Sequence, residues 1–410
     1  MSGQRHRLEP VSSYRSLLKT PGVARVIAAQ LTARFPFGML SLAYLVHIER
    51  IHNSYGAAGL VLAAASIGQA IAGPLTSRWM GVWGMRRVLT LTTTVCALSM
   101  TAIALFELSV PAYMVIGFIG GLSMPPIQPA VRTIYPKIVN ASQLSRLFSL
   151  DASAQEIIWV VGPVITTFVA TQISTTLAIL LAVAFLVGGG VWFILSPEVG
   201  RVRIPRSTRK LGVVLRKPAV LLSTITGFLL VGACAATEVA VVATFGETGP
   251  QAGVILAIFA IGSLVGGLSL GHLPVGPWSL ARRMFAVFVG MALALASLNF
   301  WWIALALLIA GIGIAPALAV MFAIVSGTVK FSETAEAYGW VGTGQLIGAA
   351  LGSAVAGFLI DAQGATGAYW AAAAFALVGV LVPTVLRRWP PDLRGRASSV
   401  PDTAPVPIQS

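Results

Sequence analysis

Between Ser196 and Pro218 the chain reads SPEVGRVRIPRSTRKLGVVLRKP, a stretch carrying seven Lys and Arg residues in a 410-residue sequence that is 57% hydrophobic and only 10% charged. No other polar interruption is as long. On each side of it lie six apolar runs of roughly 20 residues, each able to cross a hydrocarbon core about 30 Å thick at about 1.5 Å rise per residue. The spans drawn from the sequence are 23–47, 56–79, 87–106, 111–134, 146–170 and 174–196 before the interruption, and 219–245, 250–271, 283–299, 301–328, 334–360 and 365–386 after it. Backbone groups in lipid must be satisfied within the chain, so runs of this length are helices rather than barrel strands. The expected fold is an all-α membrane protein of twelve transmembrane helices in two pseudo-symmetric six-helix bundles. Residues 1–22 form an N-terminal tail, 23–196 the first bundle, 197–218 the basic linker, 219–388 the second bundle, and 389–410 a Pro- and Ser-rich tail expected to be disordered.

A formal charge of +14 would suggest nucleic acid in a soluble protein, but the cations are not spread at random. Threading the spans from a cytoplasmic N-terminus places 25 of the 27 Lys and Arg on the cytoplasmic side, Arg132 among them, leaving Arg50 outside and Arg34 deep within the first span. The positive-inside rule predicts this bias. Both termini are therefore expected in the cytoplasm, with the protein multi-pass in the inner (plasma) membrane and no nucleic acid as partner. Ser2 to Lys19 is mostly polar and lacks the apolar stretch and cleavage site of a secretory signal, so the first helix is expected to be retained. Cys96 and Cys234 fall inside spans, which argues against a disulfide framework.

The two halves repeat weakly. Ser66 to Leu89 reads SIGQAIAGPLTSRWMGVWGMRRVL, and Ala260 to Met284 reads AIGSLVGGLSLGHLPVGPWSLARRM. Gly68 and Gly73 match Gly262 and Gly267 at one offset, and each loop ends in an arginine pair; Gln155 and Gly162 likewise match Gln345 and Gly352. Gly262 and Gly266, and Gly344, Gly348 and Gly352, recur every four residues and line helix faces that permit close packing. Paired repeats of one orientation suit a carrier whose halves rock about a central site.

Spans, linker and repeats together make the chain resemble the major facilitator superfamily over roughly residues 15–390. The resemblance implies alternating access, with helices one and seven lining the pathway. The family's loop between helices two and three keeps Gly84, Arg86 and Arg87 here as gating-loop candidates, but Ser77 stands for its first glycine and Gly81 for its aspartate. Loss of that acid removes the family's usual charge latch and throws gating onto other contacts. Gly162 and Pro163 resemble the helix-five motif of proton-coupled drug exporters, although Thr166 and Thr167 replace its later glycines and no arginine occurs in Tyr113–Gly121 on helix four.

Ionisable residues inside spans are expensive and mark pathways, proton sites or ion pairs. Arg34 lies near the midplane of helix one and shares a face with Gln30, Phe37 and Ser41, which suggests substrate or coupling work, or else a static ion pair. Glu156 lies at mid-depth on helix five with Ser153, Trp159 and Pro163 on its face. It must either carry a proton or be held ionised by a cation such as Arg34, because burial disfavours the charged form. Asp151 is rotated away toward the cytoplasmic mouth and is expected to stay hydrated, meeting Arg146 or capping a helix. Glu238, on helix seven with Cys234 one turn before it, has no cation at its depth and is the leading candidate for proton coupling, with Glu156 second. Glu336 opens helix eleven, where an acid suits the helix N-terminus.

Phe35, Phe37, Tyr44, Gln128, Trp159, Met321 and Phe322 are the expected cavity residues, a mostly apolar set suited to amphipathic organic compounds. Pro125, Pro126 and Pro129, and Gly311, Gly313 and Pro316, can relax helices four and ten nearby. His6, His47, His52 and His272 show no metal spacing, and no nucleotide-binding loop or catalytic constellation is present, so neither cofactor, metal site nor enzymatic activity is expected. The function this suggests is secondary active transport, as monomeric proton-coupled export of a small organic compound or drug. Alternatives are a carrier of sugar or another small metabolite, or a non-transporting receptor or assembly factor with the same fold.

Overall fold

The computed structural model describes residues 14–207, 210–245, 251–271 and 273–393. His6, Arg209, His272 and the tail from residue 394, expected to be disordered, lie outside the described residues. Twelve helices long and apolar enough to cross a membrane are present among the described residues. They are α1 (Val23–His52), α2 (Gly56–Trp83), α3 (Met85–Leu105), α4 (Val110–Ile138), α5 (Gln143–Gln172) and α6 (Thr175–Leu195) in the first half. The second half holds α7 (Pro218–Phe245), α8 (Gln251–Leu270), α9 (Ser279–Ala296), α10 (Phe300–Thr328), α11 (Phe331–Gln363) and α12 (Ala365–Val385). Every span drawn from the sequence overlaps one of these, with ends displaced by a few residues where polar helical turns extend beyond the apolar core.

Two spans are not continuous helices. In α1 the helix stops at Arg34, tightens into a 3-10 turn over Phe35–Gly38 and resumes at Leu40. In α4 it stops at Leu122 and restarts at Ile127. Pro125 and Pro126 cause that second break, because each lacks an N–H and pushes the preceding residue out of the helical region. Between α2 and α3 the chain turns on Gly84 alone, at φ 89° and ψ 145°, a conformation reserved for glycine.

The repeat seen in the sequence recurs as packing. A Cβ on Gly162 of α5 would sit 2.9 Å from the backbone carbon of Gly38 in α1, and one on Gly352 of α11 would sit 2.7 Å from that of Gly232 in α7. In both bundles, then, one helix crosses another with backbone against backbone at the matched glycine. Gly352→Val is expected to destabilise by about 1–3 kcal/mol through overpacking. Thermal unfolding in detergent checks it, and an unchanged midpoint would contradict the contact.

The bundles meet along α2 and α11, and along α5 with α8 and α10. Thr343 Oγ1 donates to the Ala70 carbonyl at 2.8 Å, Ser149 Oγ to Gly267 at 2.6 Å, Ser145 Oγ to Gly271 at 3.2 Å, and Tyr14 Oη to Gly267 at 3.2 Å. Phe148 of α5 packs against Phe322 of α10 and Tyr338 of α11, with ring centroids 6.2 and 6.5 Å away. An even number of crossings returns the chain to its starting face, and all these bonds lie in the halves of the helices nearest that face. The seam is thus closed on the face bearing the linker, and among the described residues these hydrogen bonds and ring contacts do not continue toward the opposite face.

Candidate functional site

Helices α1, α4 and α5 bring a polar cluster together. Asp151 is fully buried. Its Oδ1 accepts from Gln30 Nε2 at 3.0 Å, Arg34 Nη1 at 3.3 Å and Tyr135 Oη at 3.2 Å, while Oδ2 accepts from Arg132 Nε at 3.2 Å. Arg34 also donates to Gln30 at 2.7 Å and to Gln155. Gln128, with its amide oxygen turned to the arginines, accepts from Arg132 at 2.6 and 2.9 Å and from Arg34 at 3.1 Å. Two guanidiniums therefore share one carboxylate, and neutral amides complete the set. Arg132 reaches across the seam as well, its guanidinium carbon 3.3 Å from the ring centroid of Phe322. Desolvated cation–π contacts of this kind are worth about 2 kcal/mol.

Three expectations change here. Asp151 is not a hydrated residue at the mouth, because α5 begins at Gln143, two turns before it, and packs it against α1 and α4, where it organises the cluster. Arg34 pairs with Asp151 rather than with Glu156, since the break at Phe35–Gly38 turns the end of that helix toward α4 and α5. Arg132, tallied with the cytoplasmic-side cations at the end of span 111–134, is 2% exposed inside α4, in the helical segment that restarts after the Pro125–Pro126 break. The signal for it was available: IQPAVRTIYPKI is strongly amphipathic, with Gln128, Arg132 and Tyr135 at spacings of four and three.

Glu156 points the other way, across the seam. Ser263 of α8 donates to its Oε1 at 2.8 Å, and the same hydroxyl accepts the Ala315 N–H of α10 at 3.2 Å. Glu238 of α7 is exposed and has no hydrogen-bond or ion-pair partner among the described residues. The two carboxylates come from different bundles, Glu156 from the first and Glu238 from the second.

The remaining candidates divide. Phe37 and Tyr44 line a recess of about 110 Å³ walled by α1 to α4, together with Ser66, Gln69, Met100 and Met124. Trp159 is half exposed. Phe35 packs on Phe185 of α6 at 4.8 Å, and Met321 and Phe322 are fully buried, so these three are helix contacts. Large apolar side chains carry no sequence mark that separates a pathway from a helix contact. Gly162 makes the crossing with Gly38, and Pro163 follows it on α5.

Glu336 is more than a helix-end acid. It is 4% exposed and accepts from Arg78 of α2 at 3.3 Å and from the Gly212 N–H of the linker at 2.8 Å. This joins both bundles and the linker where Gly81 replaces the familiar aspartate. Lys217 and Glu333, 2.5 Å apart, and Arg25 and Glu198, 2.6 Å apart, add linker ties on either side. Of the gating-loop pair, Arg86 stays within its own bundle and donates to the Ile194 and Ser196 carbonyls at 3.1 and 3.4 Å, while Arg87 is exposed. Glu336→Gln is expected to weaken the closed seam by roughly 1 kcal/mol, a few-fold in population. Labelling of a cysteine placed at Thr343 would report it, and an unaltered labelling rate would exclude Glu336 as a latch.

Solved structures with the same architecture include the human organic anion transporter MFSD10 (TETRAN), with TM-score 0.69, 16% identity, and 88% of this chain and 98% of that chain covered. A bacterial homologue of the iron transporter ferroportin in its outward-facing state gives 0.73 at 12% identity, covering 89% and 99%. The proton:xylose symporter XylE bound to 6-bromo-6-deoxy-D-glucose gives 0.67 at 15%, covering 88% and 94%. At these identities the likeness is one of fold. A search of curated protein sequences returns no match. The sequence model of the Major Facilitator Superfamily matches residues 26–298 and again 236–409. With twelve spans, two repeated bundles and that match over most of its length, the chain belongs to the major facilitator superfamily of membrane transporters.

Proposed function

We propose that the protein is a secondary active carrier that exports a small organic compound or drug in exchange for protons, by alternating access and as a monomer. Glu238 and Glu156 take the proton-binding role, and Arg34, within the cluster of Gln30, Gln128, Arg132, Asp151 and Gln155, takes the substrate or coupling role. The observation that carries this reading is the carboxylate of Glu238, exposed on α7 and without a hydrogen-bond or ion-pair partner among the described residues. A carboxylate without a counter-ion in a low-dielectric gap gains and loses its proton as access to water alternates. The excess of Lys and Arg on the linker-bearing face argues that this face is cytoplasmic and the membrane the cell's inner one, with the seam closed on the cytoplasmic side. The role is transport rather than catalysis.

A second reading of the substrate follows from the cluster itself. Two buried guanidiniums with a single carboxylate leave one positive charge unmatched, beside the partly exposed amides of Gln128 and Gln155. An organic anion would neutralise it. The human organic anion transporter shares this fold, although at 16% identity that likeness argues for nothing beyond the fold.

Proteoliposomes with an imposed pH gradient, screened with cationic dyes, organic anions, sugars and amino acids, test both readings. Gradient-driven flux of a dye or an organic anion is the expected result. Flux indifferent to the gradient would replace exchange with simple facilitation, and the absence of flux for every class would favour a non-transporting role.

A further inference from the structure

The two arginine pairs that end the matching loops have different surroundings. In the first bundle Arg86 finds acceptors in the Ile194 and Ser196 carbonyls at the end of α6. In the second, Arg283 is 9% exposed, and among the described residues its one hydrogen bond goes to the Ser279 carbonyl one turn back on its own helix, at 3.2 Å. Its Nε is buried with no partner. Arg387, just beyond α12, lies over the Trp278 ring at 5.0 Å.

Arg283 lines a recess of about 420 Å³ at the linker-bearing face, together with Arg282, Trp278, Ser279, Gly276 and Gly313. Among the described residues, no acidic side chain lines its walls. Arg282 stands close enough for the two positive charges to repel. A buried guanidinium with an unmade donor beside a second cation is costly as it stands. The arrangement becomes favourable once an anion with several acceptor oxygens enters.

We propose that this recess binds a phosphate group, supplied by an anionic phospholipid headgroup or by a soluble phosphate. Guanidinium forks match phosphate oxygens with paired hydrogen bonds. The depth also suits a headgroup: Trp278 and Leu273 are partly exposed at the membrane edge, where aromatic side chains settle and basic recesses between helices hold anionic lipids. Acyl chains would lie along the outer surface of α8 and α9, beside Phe285, which is 54% exposed.

The test uses the full chain purified in detergent and stripped of lipid, titrated with phosphatidylglycerol, with phosphatidylcholine of the same chains, and with inorganic phosphate. Binding is read by the unfolding midpoint and by lipid retained in native mass spectrometry. Saturable protection by phosphatidylglycerol but not by phosphatidylcholine is expected, and Arg283→Gln should weaken it about tenfold, the scale of one charge-assisted hydrogen bond. Should Arg283→Gln not fold, Arg282→Gln, altering an exposed side chain, is expected to weaken binding several-fold in its place. Arg201→Gln, an exposed linker cation, should leave it unchanged and so separates the recess from general attraction to negative lipid. Protection by inorganic phosphate alone would assign the site to a soluble ligand. Equal effects of the two lipids with none from phosphate, or full binding by the variants of Arg282 and Arg283, would overturn the proposal.

Discussion

Glu238→Gln is expected to abolish flux driven by a pH gradient in proteoliposomes, to background, while leaving substrate counterflow without a gradient intact. The amide keeps the shape and polarity of the side chain but cannot exchange a proton, so only the coupling step is lost. Folding should be unaffected, because no hydrogen bond or ion pair of Glu238 is broken among the described residues. Glu156→Gln should do less to coupling and more to the seam, since the bond from Ser263 changes from a charged acceptor to a neutral one, a loss of roughly 1 kcal/mol. If Glu238→Gln keeps the full response to the gradient, coupling resides elsewhere.

Asp151→Asn is expected to be the most destabilising of the conservative changes. It leaves Arg34 and Arg132, 4% and 2% exposed, without the carboxylate they share. Removing one partner of a buried ion pair costs about 3–5 kcal/mol, a large part of the ~5–15 kcal/mol that holds a folded protein together. Little monodisperse protein should survive size exclusion, and the unfolding midpoint of what does should drop by many degrees. Adding Arg132→Met should recover part of the loss, because the surplus charge goes with it. An Asp151→Asn protein as stable as the parent would mean that the guanidiniums find compensation other than this carboxylate.

The fold was legible because lipid imposes one rule on every span, and length with apolar composition is enough to apply it. The halves were legible for a related reason: at the matched pairs Gly162 with Gly352 and Gly68 with Gly262, helix backbones touch. The site was legible only in part. Arg34, Glu156 and Glu238 declare themselves as charges among apolar residues, but depth in sequence says nothing of azimuth or of breaks. One 3-10 turn and one Pro-Pro pair redirect α1 and α4, and with them the partners of Arg34 and Asp151 and the placement of Arg132. Glu336 and Arg78 are distant in sequence and meet only because α2 and α11 cross the seam side by side.

The glycine crossings bear on how such a molecule moves. Where backbone lies on backbone, as at Gly38 with Gly162 and Gly232 with Gly352, there is no side chain to slide or swap rotamers, so each bundle is stiff along its inner helices. The ties between bundles are mostly side-chain contacts, namely hydroxyls, the rings around Phe148, a stacked guanidinium and an ion pair, with backbone against backbone where Gly73 meets Gly339. Under the alternating access proposed above, the separable side-chain contacts of the seam would yield before the glycine crossings inside each bundle.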